Sequence, residues 1–505
     1  MRTILVFATL CLAKTNGDIF SSTAHLQSLM HLERHLVSEM SDYLTKMEAK
    51  LYEIKSYLHE FAYTAGREEF AGKFATDEIV GNPIQAFQLV KRLTINWRRI
   101  ENIMAKENLW NKIEELTDVY QSFMPSQEDL HGAALALVRL QDTYNLNMTD
   151  LAKGQILGYQ TNVEMTARDC LYLGKHSFNN GYYGHSIEWF EEALIRAHRE
   201  DNRTASVEEI MPFYNMAVEI TDQNYTDYFN ENRIKGATKL KIVEGESDDY
   251  HNYQALCRGE NLKTAKEEKN LKCYLTNKGN PLLILQPIKV EVFNENPLVV
   301  MFHDLMTEYE MQTYKDLAIP MLTRARVQTE NHDDEVSKVR TSQTAWFSPQ
   351  SHKMVANLNH RVEAVTGLSV DMDKSHCELV QIANYGMGGH YVPHYDYLIV
   401  DRPEDQRHLA PAREVAAGDR TATLMFYLSD VIKGGSTVFP RLGTKVTPEK
   451  GAAVFWYNLY RNGEGIEDTV HGACPVLMGE KWVANYWIRE IGQTFNRRCS
   501  LNPNE

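Results

Sequence analysis

From His25 to Leu58 apolar residues return every three or four positions: Leu29, Leu32, Leu36, Met40, Tyr43, Met47, Leu51, Ile54 and Leu58. That period gathers them into one stripe along a long helix with charged flanks. The stripe fits either a seam between two chains or one helix of a bundle within the chain, and the period alone does not separate the two. His31 and His35 stand one turn apart on this helix, where a solvated face is their expected role. Helical patterning continues through Ile100–Leu116 and Leu130–Leu140. From Ala167 through Leu171, Leu173 and Phe178 to Gly181-Tyr182-Tyr183, and on through Trp189 to Leu194, the pattern predicts two short helices around a Gly-Tyr-Tyr turn. This is a helix-turn-helix unit of tetratricopeptide type, with Ser206–Glu219 as a partial second unit. Such a unit can offer an aromatic-lined groove to an extended peptide. The pattern alone favours a plain hairpin with its aromatics in the core.

The polar, charged stretch Asn230–Asn252 reads as a linker. Beyond it the period changes. Short β-rich runs follow at Leu282–Leu285, Lys289–Phe293, Leu298–Phe302, Leu379–Tyr385, Thr421–Leu428, Ala452–Tyr457 and Trp482–Ile488. Helical patterns at Glu308–Leu322 and His352–Thr366 interrupt them. Many short strands with turns predict a sandwich or barrel with helices packed outside, and so an α+β chain of several domains.

The length of 505 residues suggests about three domains. The net charge of −15 argues against a nucleic-acid binder, which would show a basic face. It leaves open a basic or neutral peptide partner. Arg2 followed by the apolar run Ile4–Ala13, with small residues to Gly17, reads as a cleaved signal peptide over residues 1–17. The run is shorter than the roughly 18 residues a membrane span requires, and no later segment reaches that length. Behind such a leader Asn147, Asn202 and Asn224, each opening an Asn-X-Thr triplet, become glycosylation sites. Cys257 and Cys273 flank a short polar loop, a good place for a disulfide, with two free thiols as the alternative. Cys170, Cys377, Cys474 and Cys499 cannot be paired from sequence.

The chemistry concentrates in Gln381–Leu398. His394 and Asp396 are two residues apart, and on a strand such positions share a face. A third ligand is expected from His471, which follows another strand-like run. Two histidines and one carboxylate with open positions form the facial triad of non-haem Fe(II) oxygenases. By itself His-X-Asp is a weak signal. Ten residues after His471 stands Lys481. As a buried cation it would pair with the far carboxylate of a 2-oxo diacid; as a surface residue it would only snorkel. Its spacing leaves the two readings even. His390 lies four residues before His394, but Gly388, Gly389 and Pro393 oppose a helix there. It is expected to neighbour the site without being a ligand.

These residues sit in motifs that resemble the α-subunit family of animal collagen prolyl 4-hydroxylases. The motifs are VRTSQTAWF (Val339–Phe347), QIANYGMGGHYVPHYDY (Gln381–Tyr397), TLMFYLSD (Thr423–Asp430), GGSTVFP (Gly434–Pro440), KGAAVFWYNL (Lys450–Leu459) and HGACPVLMGEKWVANYW (His471–Trp487). They cover nearly all of the C-terminal half, and YQALCRGE around Cys257 extends the likeness. The resemblance implies a helical dimerisation domain over residues 18–140 and a tetratricopeptide-like peptide-binding domain over 141–245. It further implies a double-stranded β-helix (jelly-roll) dioxygenase domain over 246–505. It places iron on His394, Asp396 and His471, 2-oxoglutarate on Lys481, and active-site aromatics at Tyr385 and Trp487. It also implies a Cys257–Cys273 disulfide and ascorbate as a cofactor. The implied assembly is an α2β2 tetramer in the endoplasmic reticulum lumen, with protein disulfide isomerase as β. The implied reaction is 4-hydroxylation of X-Pro-Gly peptides, with no nucleic acid and no membrane span. The chain departs from the family at His390, where Gln is usual. It also departs between Trp189 and Cys257, which is roughly thirty residues short against the tetratricopeptide period. The shortening motivates a second reading, the same chemistry on another protein. A third, a catalytically silent binding or chaperone subunit, is opposed by the intact His394, Asp396, His471 and Lys481.

Overall fold

The structure, a computed structural model, describes residues 22–44, 54–59, 81–104, 124–232, 248–328, 334–336, 340–402 and 404–502. They fall into two compact units, one within Thr15–Glu246 and one within Ser247–Glu505. The predicted leader, most of the predicted linker, and Met47 and Leu51 of the first stripe lie outside the described residues.

The first unit is helical. Helix α1 (Thr23–Leu44) buries Leu29, Leu32, Leu36 and Met40 and leaves His31 and His35 exposed. Among the described residues, these four positions of the stripe are covered within a single chain. Glu33, also buried, is paired with Arg92, whose Nη2 donates to Glu33 Oε2 at 3.0 Å. Helix α2 (Pro83–Lys91) starts where Asn82 accepts from two backbone amides and Pro83 takes the first helical position. Helix α3 (Gln127–Tyr144) opens with a Ser126–Asp129 capping box and stops at left-handed Asn145. Helices α4 (Ala167–Asn179) and α5 (Tyr183–Arg199) form the predicted hairpin. They pack closely because Gly174 has no side chain: a Cβ there would lie 2.5 Å from the Phe190 ring. Leu171, Leu173, Trp189 and Phe190 fill the hairpin core, while Phe178, Tyr182 and Tyr183 stay half-buried at the turn. The turn aromatics thus remain at the surface, against the core placement that the pattern favours. Where a partial second unit is predicted, one helix runs from Val207 to Asn232 (α6). Its sequence holds no glycine, and the helix carries Pro212 near its start.

The second unit opens with helix α7 (Asp248–Arg258). Strands β1 (Cys273–Thr276), β2 (Ile288–Asn294) and β3 (Val299–His303) follow, then helix α8 (Glu308–Ala318), β4 (Thr323–Arg324) and β5 (Gln343–Phe347). After helix α9 (Lys353–Thr366) come β6 (Val380–Tyr385), β7 (Tyr391–His394), β8 (Arg420–Tyr427), β9 (Thr437–Phe439) and β10 (Thr444–Val446). The last strands are β11 (Ala453–Tyr457), β12 (His471–Ala473) and β13 (Lys481–Arg489). Nine of them form one sheet in the order β1-β2-β3-β11-β8-β13-β6-β5-β4, and four form a second, β7-β12-β9-β10.

The strand period of two decides what each face meets. On β13, Trp482, Ala484, Tyr486 and Ile488 join a core with residues of α8 and α9. The alternate positions Lys481, Val483, Asn485 and Trp487 turn to the other face and line a pocket. On β8, Ala422, Leu424 and Phe426 join the helix-side core, while Thr423 and Met425 reach the pocket. A smaller core between the two sheets includes Tyr385, Tyr427, Phe439 and Trp456.

Two expectations are corrected here. Leu282–Leu285 is no strand: Pro281–Leu283 form a single 3-10 turn capped by Asn280, and Leu285 is 97% exposed. Pro281 lacks the N–H a ladder needs. The expected Cys257–Cys273 bridge is also absent. Cys257 is bonded to Cys474, and Cys273 is a free, exposed thiol. The reason is the docking of α7 on β12, where Tyr253 Oη donates to Ala473 O at 2.8 Å. That contact brings Cys257 to the residue after β12, whereas Cys273 starts the edge strand β1. A Cβ at Gly472 would stand 2.9 Å from the Tyr253 ring and 3.0 Å from Tyr391 O. Gly472→Ala is therefore expected to destabilise this unit by about 1–3 kcal/mol, as overpacking does, with a lower denaturant midpoint as the readout.

Candidate metal centre and its pocket

The two histidines meet by strand pairing. In the antiparallel β7–β12 ladder His394 stands directly opposite His471, with ring centroids 4.4 Å apart. Asp396 lies two residues past the end of β7. Its Oδ1 is 3.9 Å from His394 Nε2 and its Oδ2 is 3.7 Å from His471 Nε2. One ligand atom from each of the three lies within 4.8 Å of the others. His394 Nδ1 is 2.9 Å from Val392 O, and His471 Nδ1 is 3.0 Å from Thr469 O. A carbonyl only accepts, so each Nδ1 carries a proton, and Nε2 is the ring nitrogen that faces Asp396. Burial, with His471 next to it, pulls the His394 imidazole down to about 3, so it is neutral as a metal ligand must be. Burial pushes the Asp396 carboxyl up. The imidazoles of His471 and His394, the Arg420 guanidinium and the Thr423 hydroxyl outweigh that push and hold it below its ordinary value.

Lys481 opens β13 opposite Tyr385 of β6 and is 1% exposed. Its Nζ lies 5.7 Å from the ring centres of both Tyr385 and Tyr427 and 3.3 Å from Thr437 Oγ1, which also accepts from Tyr427 Oη at 2.9 Å. Among the described residues no carboxylate forms an ion pair with it. Burial alone pulls its ammonium down to about 7. A buried cation with only a hydroxyl beside it is complementary to an anionic ligand. Trp487 forms part of the same wall, with the Arg420 guanidinium 4.0 Å over its ring. The pocket has a volume of about 420 Å³ including its mouth and joins the three ligand residues to Lys481, Tyr385 and Trp487. His390 is buried nearby and stands outside both the ligand cluster and the pocket lining.

Residues 22–158 match the family described as Prolyl 4-Hydroxylase alpha-subunit, N-terminal region. Residues 167–226 match the Prolyl 4-hydroxylase peptide-substrate-binding domain, and residues 380–489 match the 2OG-Fe(II) oxygenase superfamily. Prolyl 4-hydroxylase subunit alpha-1 of Rattus norvegicus is 36% identical over 535 residues, covering 96% of each chain. Subunit alpha-2 of Caenorhabditis elegans is 35% identical over 536 residues, 99% of this chain and 96% of that one. The chain belongs to the prolyl 4-hydroxylase α-subunit family. Its second unit is an Fe(II)/2-oxoglutarate dioxygenase domain.

The pocket of this family member also holds residues that the sequence reading leaves out: Arg340, Tyr391, Thr423, Thr437 and Asn485. Thr423 and Asn485 were within reach, because the strand period puts them on the faces of Met425 and Lys481. Arg340 was not. It is 5% exposed, donates to Gln381 Oε1 at 2.7 Å and lies 5.1 Å from the centre of the Tyr391 ring. No local spacing links it to the site.

Proposed function

We propose that this chain is the α subunit of a peptidyl-proline 4-dioxygenase. Iron would be held by Nε2 of His394, Nε2 of His471 and the Asp396 carboxylate. The far carboxylate of 2-oxoglutarate would pair with Lys481 between Tyr385 and Tyr427. The observation that carries this reading is the joint presence, in one pocket, of a three-ligand cluster and a buried lysine lacking a carboxylate partner. The iron, with 2-oxoglutarate and O2, supplies the oxidising power that replaces a proline C4 hydrogen by hydroxyl and leaves succinate and CO2. The chain itself binds, orients and excludes water. Proline-rich X-Pro-Gly segments suit the task because they are already extended. The half-buried aromatics at the α4–α5 turn support a groove for them in the first unit.

The finer expectations belong to the same reading. They are ascorbate as reductant for the iron and protein disulfide isomerase as the β partner of an α2β2 tetramer. The location is the endoplasmic reticulum lumen, reached through the leader at residues 1–17, with glycans at the three Asn-X-Thr sites. The proposed division into a dimerisation domain (18–140), a peptide-binding domain (141–245) and a dioxygenase domain (246–505) completes it. Among the described residues no helix is long and apolar enough to cross a membrane. A second reading, hydroxylation of a different protein, draws on the shortening between Trp189 and Cys257, where the partial second unit is the single helix α6.

The test is succinate release with hydroxyproline detection, from the chain co-expressed with protein disulfide isomerase. Reactions contain Fe(II), ascorbate, 2-oxoglutarate and a Pro-Pro-Gly repeat peptide. Peptide-dependent succinate together with hydroxyproline is expected. Succinate without hydroxyproline would favour the second reading. Neither product from folded, iron-loaded protein would favour the silent subunit.

A further inference from the structure

Asp396 poses a problem that strand geometry does not solve. The His394–Asp396 spacing predicts that one strand holds both side chains on one face, but β7 ends at His394. The antiparallel ladder that fixes the two histidines does not include Asp396. Its position is set from the other sheet. Thr423 of β8 donates from Oγ1 to Asp396 Oδ2 at 2.6 Å, and Arg420 of the same strand donates from Nη1 to the Asp396 carbonyl at 3.2 Å. Behind Thr423 stands Asn458, just past β11, whose Nδ2 donates to Thr423 Oγ1 at 2.9 Å. The backbone of Asn458 is itself held, by Thr421 O at 2.9 Å and by Ile466 N at 2.8 Å. Thr423 and Asn458 are each 1% exposed, and Asp396 is 4% exposed.

Proton counting gives this chain a direction. A carboxylate only accepts and a hydroxyl has one hydrogen, so Thr423 must spend its hydrogen on Asp396. Its oxygen then has to accept, which is what the Asn458 amide satisfies. The relay therefore runs one way, Asn458 to Thr423 to Asp396. It fixes the rotation of the carboxylate about its Cβ–Cγ bond and leaves Oδ1 on the side of His394 Nε2.

We infer that Thr423, oriented by Asn458, is a positioning residue that presets the Asp396 carboxylate for metal binding, in place of the strand that Asp396 lacks. The inference rests on the proposed assignment of His394, Asp396 and His471 as the metal site. Partners that orient a metal ligand are worth roughly ten- to a hundredfold in metal affinity.

The experiment is an anaerobic Mn(II) titration of the full chain co-expressed with protein disulfide isomerase, read by electron paramagnetic resonance, beside steady-state kinetics. Thr423→Val keeps the shape and removes the hydroxyl. It is expected to weaken Mn(II) binding about tenfold or more and to lower kcat with little change in the KM for peptide. Thr423→Ser should restore Mn(II) affinity to within about threefold of the parent chain, because it returns the donor. Asn458→Ala acts only through Thr423, so the double variant should bind no more weakly than Thr423→Val alone. Parent-like Mn(II) affinity in Thr423→Val would overturn the inference. If that variant does not fold, Thr423→Ala takes its place, and parent-like Mn(II) affinity in folded Thr423→Ala would overturn the inference instead. A parent chain whose Mn(II) binding survives His471→Ala unchanged would remove the metal assignment itself, which is a distinct result.

Discussion

His471→Ala is expected to abolish turnover, lowering kcat/KM by roughly a thousandfold or more, the scale on which loss of a whole catalytic group acts. The geometry explains why no neighbour can take its place. His471 faces His394 across the β7–β12 ladder, and its Nε2 is 3.7 Å from Asp396 Oδ2. His390, a buried imidazole of the same unit, belongs to neither the cluster nor the pocket wall. The ring also packs 4.7 Å from the Trp456 ring centre and 5.6 Å from that of Phe439. Truncation therefore leaves a small void and a stability loss on the order of 1–3 kcal/mol. Lost activity has to be separated from lost fold. His471→Gln fills more of the void, and far-ultraviolet circular dichroism with a denaturant midpoint checks that each variant is folded. Folded variants without turnover and without Mn(II) binding are expected. Undiminished turnover in folded His471→Ala would take His471 out of the site.

The legible part of this chain is the part governed by period and by local chemistry. The short β-rich runs Trp482–Ile488 and Thr421–Leu428 announce buried strands, and the recurrence Leu29, Leu32, Leu36, Met40 announces a helix with one covered face. The pocket residues His394, Asp396, His471, Lys481, Tyr385 and Trp487 were all legible through motifs. The structure brings all six to one cavity. The physical reason given for the first pair was incomplete, however. The spacing of two suggests a shared strand face, and Asp396 in fact lies past the strand and is held from β8 by Thr423 and Arg420.

What stayed hidden depends on contacts between distant segments. Cys257 and Cys273 are close in sequence, but the partner of Cys257 is decided by where α7 docks, 217 residues further along the chain at Cys474. Arg340 reaches the pocket through an isolated backbone bridge to Tyr391 of β7 and a side-chain bond to Gln381 of β6. Lys481 could not be told from a surface lysine by spacing. It became informative once its neighbours were found to be Thr437, Tyr385 and Tyr427 with no carboxylate among them.

That environment makes Lys481 the subject of the second large prediction. Lys481→Met removes the charge and keeps the length. Losing one member of a buried charge pair costs about 2–5 kcal/mol, so the KM for 2-oxoglutarate should rise roughly a hundredfold or more. An unchanged KM would show that the diacid does not reach Lys481. The ligand-free protein gives an independent readout. Its buried ammonium is pulled down to about 7, against about 10.4 for an unfolded lysine. Between those values the unfolded chain binds more protons than the folded one, so the stability of the folded state rises with pH across that window. Below it the cost of burying the charge is fully present, and above it the cost is gone. Lys481→Met should flatten this rise and be more stable than the parent near neutral pH, by an amount on the order of a few kcal/mol. Binding should reverse the shift, because an anionic carboxylate favours the ammonium. At about pH 8, above the folded value, 2-oxoglutarate should therefore enter with uptake of close to one proton, and at about pH 6 with close to none. Calorimetry in two buffers of different ionisation enthalpy measures that number directly. Equal uptake at both pH values, or the same uptake in Lys481→Met, would place the titrating group elsewhere.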